Sequence, residues 1–154
     1  MSALHIREAM REDLPSMLQL YAQPNYDDGA VLPLDDARRL FDEVASYPFY
    51  KFFVALQDEV VVGTYAILVM VNIGHLGAPS AVVESVAVDP EWQGGGVGRA
   101  MMDHAMEIAR QHGCYKVALS SSVKRTRAHA FYENLGYRRY GYCFGVDLYQ
   151  GAAP

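Results

Sequence analysis

Residues 82–99 constrain the chain most: Val82-Val83-Glu84-Ser85-Val86-Ala87-Val88-Asp89-Pro90-Glu91-Trp92-Gln93-Gly94-Gly95-Gly96-Val97-Gly98-Arg99. Small and β-branched residues alternate around Glu84 as in a strand, and Pro90 ends it. Gly94, Gly95, Gly96 and Gly98 come next, and then Met101, Met102, Ala105, Ile108 and Ala109 recur on one helical face. A glycine loop that opens a helix aims several unpaired backbone N–H groups at one point, where the helix dipole adds positive charge. Such a point takes a phosphate or diphosphate. Arg99 falls in the first helical turn, where the dipole disfavours a cation unless an anion is bound.

The loop is not a common nucleotide loop. No lysine follows the glycines, and the spacing differs from Gly-x-Gly-x-x-Gly. Taken alone, the stretch is also compatible with a glycine-rich turn that holds no ligand.

Composition narrows the function classes. A chain of 154 residues, 51% hydrophobic and 20% charged, has material for a packed core, and one domain spanning residues 1–154 is expected. A net charge of −5 argues against a nucleic-acid binder that lives on phosphate contacts. Cys114 and Cys143 are far apart and give neither a disulfide framework nor metal spacing. His5, His75, His104, His112 and His129 show no ligand spacing either, so no metal is expected. No apolar run reaches the length of a membrane span, and no basic N-terminal region precedes an apolar run. The expectation is a cytoplasmic protein with no membrane partner.

Along the chain, residues 4–7 read as a strand. Leu14, Met17, Leu18 and Tyr21 read as a helix with Asp13 at its N-cap and Pro15 in its first turn. A loop over 24–33 leads to a helix over 34–46, with Ala37, Leu40, Phe41 and Val44 on one face. Residues 52–57 and 60–71 form a β-hairpin around Asp58-Glu59, and 72–80 is a loop. After the glycine-loop helix, capped by Gly113, come a strand over 115–120, a helix over 127–135 capped by Gly136, and a strand over 137–148 broken near Gly141. This order implies an α/β protein with a mixed sheet and helices on both faces.

Two residues stand out for chemistry. Strand parity puts Glu84 on one face with Val82, Val86 and Val88. A carboxylate buried there would have a raised pKa, which suits a general base. The alternatives are a Glu paired with an Arg, or one turned to solvent by a bulge. Tyr132 lies in Ala128-His129-Ala130-Phe131-Tyr132-Glu133-Asn134-Leu135-Gly136-Tyr137. A phenol is protonated at neutral pH and reaches out of an apolar wall, so it is a proton donor or else a core tyrosine. Cys114 has no basic group beside it in the sequence, so its thiolate has no evident activator.

Gln93-x-x-Gly96-x-Gly98 after a strand resembles the acetyl-CoA loop of the GNAT family of N-acetyltransferases, and Ala128-x-x-Phe131-Tyr132-x-x-x-Gly136-Tyr137 resembles that family's last motif. The element order is similar too, over residues 4–149. The resemblance implies the GNAT acyltransferase fold, with a mostly antiparallel central sheet. It implies an acetyl-CoA-dependent N-acetyltransferase that acts on a primary amine of a small molecule. Acetyl-CoA would be held by Val86, Ala87 and Val88 along its pantetheine and by Gln93, Gly94, Gly95, Gly96, Val97, Gly98 and Arg99 at its diphosphate. Glu84 would deprotonate the amine through a water, and Tyr132 would protonate the departing thiolate.

Many members carry Asn seven positions before the tyrosine; here Arg125 stands there. Ser120-Ser121-Ser122-Val123-Lys124-Arg125 is similar to aminoalkylphosphonate acetyltransferases, and Gly113-Cys114-Tyr115-Lys116-Val117 to glucosamine-phosphate acetyltransferases. Lys124, Arg125 and Arg127 would meet CoA phosphates or an anionic substrate, or else form a solvated basic turn. Tyr26, Tyr140, Tyr142 and Phe144 hint at a small, partly apolar amine. Family members are often dimers, so a homodimer is implied. Two rival functions remain: a non-catalytic acetyl-CoA-binding regulatory module, and an acetyltransferase for a protein lysine or N-terminus.

Overall fold

The computed structural model describes residues 3–148. The chain divides into two units, Met1–Leu119 and Ser120–Pro154.

The first unit is one sheet with helices on both faces. Strands β1 (His5–Glu8), β2 (Tyr50–Gln57), β3 (Val60–Met70), β4 (Ser80–Val88) and β5 (Val117–Ala118) lie in that order. Neighbours are antiparallel except β4 and β5, which are parallel. Helices α1 (Leu14–Tyr21) and α2 (Leu34–Val44) follow β1, and α3 (Val97–Gln111) follows β4. The expected mixed α/β class and mostly antiparallel sheet are what forms. The β2–β3 hairpin closes at Asp58-Glu59, whose φ values of +48° and +64° give the two left-handed residues of a tight turn.

Cross-strand partners share a face, so the register assigns each side chain to a side. Val54 pairs with Thr64, and Thr64 with Ala87; Phe52 pairs with Ala66, and Ala66 with Glu84. This face is covered by α1 and α2, where Val54 and Leu56 pack with Leu14, Met17 and Ala37. Phe53, Tyr65, Ile67 and Val83 take the opposite face, under α3. There the Tyr65 hydroxyl bonds His104 Nδ1 at 2.7 Å, and burial holds the His104 imidazole below its usual pKa. Gly63 lets α3 dock closely: a Cβ on it would stand 3.0 Å from both Val97 Cγ1 and Met101 Sδ. Met101 and Met102 are fully buried, each stabilising by roughly 2 kcal/mol relative to exposure.

Four expectations change in the first unit. Strand β5 is only Val117–Ala118, shorter than the span 115–120. Helix α2 ends at Val44 and buries only Ala37 of its expected face; Leu40 is exposed. Asp13 holds the N-cap position of α1, but its side chain accepts no N–H of that helix. Instead it accepts two bonds from Arg7, at 2.6 and 3.0 Å, and one from the Met10 N–H at 2.7 Å. The fourth change lies in β4. Between the pairs Ala66–Glu84 and Thr64–Ala87, Ser85 and Val86 oppose Tyr65 alone, and Ser85 has φ +54°. This β-bulge reverses the parity of the rest of the strand. Val88, opposite Gly63, therefore lies on the face away from Glu84, not beside it.

In the second unit, α4 (Thr126–Asn134) forms close to the expected span. Gly136, at φ +94°, donates its N–H to the Glu133 carbonyl at 3.0 Å and ends the helix. The strand expected over 137–148 does not form among the described residues. Tyr142, Phe144, Val146 and Leu148 do alternate, but they are 92%, 90%, 80% and 86% exposed. An alternating pattern becomes a strand only where a ladder partner and a buried face meet it.

Candidate active site

The glycine loop is shaped by short-range bonds. Asp89 Oδ1 accepts the Glu91 N–H at 2.9 Å, and the Asp89 carbonyl accepts the Trp92 N–H at 2.8 Å. Gly94 and Gly96 have φ of +81° and +91°, in the left-handed region that L side chains avoid. Gly96 is the N-cap of α3, and no side chain caps it. The first helical bond is from the Ala100 N–H to the Gly96 carbonyl at 3.0 Å. The amides of Val97, Gly98 and Arg99 precede that bond, so they lack helical acceptors and point out of the helix end. The Val97 side chain is buried, which anchors the turn, and Arg99 is exposed beside it. These donors fit a diphosphate.

The outer edge of β4 is open near the loop. Strand β5 pairs only with Ala81 and Val82, so Val86, Ala87 and Val88 have no ladder partner on that side among the described residues of the first unit. Gln93 does not point its amide at a ligand: Nε2 donates to the Val88 carbonyl at 3.2 Å.

Glu84 is exposed, so its carboxylate is not the buried one expected from strand parity. Glu84 keeps the face that parity gives it, opposite Ala66, and the bulge at Ser85 re-aims only the residues that follow it. Among the described residues no ion pair involves Glu84, which removes the reading of a structural Glu–Arg pair. Its surroundings are phenolic. Burial, and after it the Glu84 carboxylate, raise the Tyr50 pKa; burial does most to raise Tyr26, with Asp27 and Glu84 adding to it. Sequence reasoning missed Tyr50, because a tyrosine at the start of an apolar strand carries no local mark of a partner that lies two strands further along the chain.

The first unit thus brings together Glu84, the β4 edge and the glycine loop. Tyr132 and Arg125 lie in the second unit. The Tyr132 ring meets Phe131 at 5.1 Å and Tyr137 at 5.7 Å, both edge-on. Burial raises its pKa and the Arg125 charge opposes that, so the phenol is protonated at neutral pH. Arg125 opens α4, where its carbonyl accepts the His129 N–H at 3.1 Å. Burial also pushes the Cys114 thiol up, away from the thiolate a nucleophile needs. Among the described residues no group of three His, Cys, Asp or Glu would hold a metal ion, and no helix is long and apolar enough to cross a membrane.

The model of the acetyltransferase (GNAT) family matches residues 11–137. The chain belongs to the GNAT family. It is therefore an acetyltransferase of the GNAT type, acting on amine substrates, and GNAT acetyltransferases use acetyl-CoA as donor. The chain is 31% identical over 149 residues to a glucosamine 6-phosphate N-acetyltransferase of Trypanosoma brucei brucei, covering 94% of this chain and 96% of that one. It is 31% identical over 141 residues to an aminoglycoside N(6')-acetyltransferase type 1 of Stenotrophomonas maltophilia, covering 88% and 87%. A transcriptional regulator from Bacillus halodurans C-125 has a similar structure, with a TM-score of 0.87, 25% identity and coverage of 95% and 100%. The two named enzymes share an amine acceptor and differ in what surrounds it.

Proposed function

We propose that this GNAT chain moves an acetyl group from acetyl-CoA to the primary amine of a small molecule by direct transfer, with residues 1–154 acting as one catalytic domain. The observation that carries the reading is the uncapped start of α3: three backbone amides at Val97, Gly98 and Arg99 behind two left-handed glycines. These amides hold the diphosphate, and the open edge of β4 at Val86, Ala87 and Val88 hydrogen-bonds the pantetheine as an added strand would. Arg125 adds a cation for a phosphate of the donor. Acetyl-CoA supplies the acetyl group as an activated thioester.

Glu84 takes a proton from the incoming ammonium through a water and passes it to solvent, to which it is open. The freed nitrogen lone pair forms the new bond to the carbonyl carbon as the carbon–sulfur bond breaks. The Tyr132 hydroxyl gives its proton to the departing sulfur, its raised pKa keeping that proton in place until then, and the second proton shed by the acylated nitrogen restores the phenol through solvent. Cys114 takes no part. Positioning supplies much of the rate, since the thioester is already reactive. A homodimer and a cytoplasmic location belong to the same proposal.

The test is CoA release from wild type, Glu84→Gln and Tyr132→Phe with a panel of small amines and lysine peptides. Turnover of small amines that falls in both variants supports the reading. Turnover confined to peptides moves the acceptor to a protein lysine or N-terminus. Thermal stabilisation by CoA with no turnover would instead favour a binding module, the kind of role that the name of the Bacillus protein suggests.

A further inference from the structure

The face of the sheet around Glu84 is aromatic. Tyr50 pairs with Leu68, and Leu68 with Val82, one row along from Phe52, Ala66 and Glu84. Tyr50 and Glu84 therefore share one face of the sheet, two strands apart and one row offset. The Tyr47 ring stands edge-on to Tyr50 at 5.7 Å, and Tyr50 tilts against Phe52 at 5.4 Å. From the loop after α1, Tyr26 stacks on Tyr21 at 5.1 Å, and its hydroxyl feels both Ser85 and the charge of the neighbouring Glu84.

The backbone is left-handed beside Tyr26 and at Ser85. Asn25, next to Tyr26, has φ +65°, and Ser85 has φ +54°. Left-handed residues other than glycine persist where the surroundings over-determine them, often at functional sites. The charges that act on Tyr26 and Tyr50 are the carboxylates of Asp27 and Glu84. Arg7, Arg11, Arg38, Arg39 and Lys51 of the same unit are each already paired with a carboxylate.

We propose that Tyr26, Tyr47 and Tyr50, with Glu84, form a receiving wall for the cationic head of the acceptor, and that the acceptor is an organic ammonium compound without a phosphate. The proposal rests on the acetyl-transfer reading and adds the substrate class. The face of a phenol ring attracts an ammonium ion, and most strongly where water is partly excluded. The carboxylate fixes where that charge sits. A phosphate on the same small molecule would be repelled by the carboxylates of Glu84 and Asp27, both of which act on Tyr26.

The test has a binding arm and a turnover arm. Choline, which cannot be acetylated on nitrogen, is titrated against its neutral isostere 3,3-dimethylbutanol on CoA-bound protein. Choline binds about fivefold tighter in wild type, Tyr50→Leu and Tyr26→Leu lose that margin, and Tyr50→Phe keeps it because the ring remains. In turnover, glucosamine has a kcat/KM about tenfold above that of glucosamine 6-phosphate. Equal binding of choline and the isostere in wild type, or a preference for the phosphorylated sugar, overturns the proposal. Choline binding as expected with no amine turned over supports the wall and contradicts the acetyl-transfer reading.

Discussion

The side-chain amide of Gln93 donates to the carbonyl of Val88 at 3.2 Å, which ties the glycine loop to the end of β4. Gln23 reaches the same carbonyl at 3.3 Å while also donating to the Leu20 carbonyl at 2.7 Å. Loop, strand and the end of α1 therefore meet at one oxygen. A net hydrogen bond is worth about 1 kcal/mol, so Gln93→Ala should raise the KM for acetyl-CoA roughly fivefold and leave kcat within about twofold. Steady-state kinetics at saturating amine would show it. A fall in kcat at unchanged KM would mean that Gln93 acts on the chemistry instead.

Gly96→Ala tests the loop itself. At φ +91° a side chain finds open space but a disfavoured backbone. The left-handed conformation costs an L residue about 1–2 kcal/mol, so affinity for CoA should drop roughly 5- to 30-fold. Isothermal titration measures it. Undiminished affinity would place the diphosphate away from this turn.

The features legible in the chain are local. The glycine loop, the Asp58-Glu59 turn and the helix of Met101 and Met102 depend on residues within a few positions of one another. The bulge at Ser85 is not legible, because it exists only in the register of β4 against Tyr65 of β3. That one residue parts Val88 from Glu84, and Glu84 itself is exposed on the face where parity predicts a buried carboxylate. Asp13 is a similar case: its neighbours suggest a cap, but Arg7 across the turn offers two donors and takes its side chain. Tyr26 and Tyr50 feel the charge of Glu84 from separate elements, and no spacing announces that. The alternation over 137–148 is present as a pattern but lacks, among the described residues, the partner that would make it a strand.

The Arg7–Asp13 pair should give stability a specific acid limb. The Arg7 hydrogen bonds do most to hold the Asp13 carboxyl below its usual range, against the opposing effect of burial. A depressed pKa in the folded state gives stability that is present above the unfolded value of about 3.9 and is lost as pH falls through the folded value. Asp13→Asn should cost about 2 kcal/mol near neutral pH, because Arg7 keeps its charge and loses its partner. Thermal unfolding from pH 7 down to about pH 2 should show the wild-type advantage shrinking below about pH 4. An advantage that does not change with pH would mean the pair contributes by packing alone.

Tyr132→Phe removes the proposed proton donor and little volume. Lost acid catalysis should lower kcat about 100-fold, with the KM for acetyl-CoA unchanged. Because burial raises the Tyr132 pKa, its titration should not limit activity below about pH 10. Arg125→Ala removes the opposing charge and should move that alkaline limit further up. An alkaline limb that moves down in Arg125→Ala would contradict this coupling.

The most direct measurement is kcat for Glu84→Gln against wild type, at saturating acetyl-CoA and amine, from about pH 6 to 9. The expected result is a loss of about 100-fold or more near neutral pH, partly recovered at high pH as more amine arrives unprotonated, with CoA affinity unchanged. A variant with wild-type kcat across that range would show that Glu84 carries no proton in the reaction.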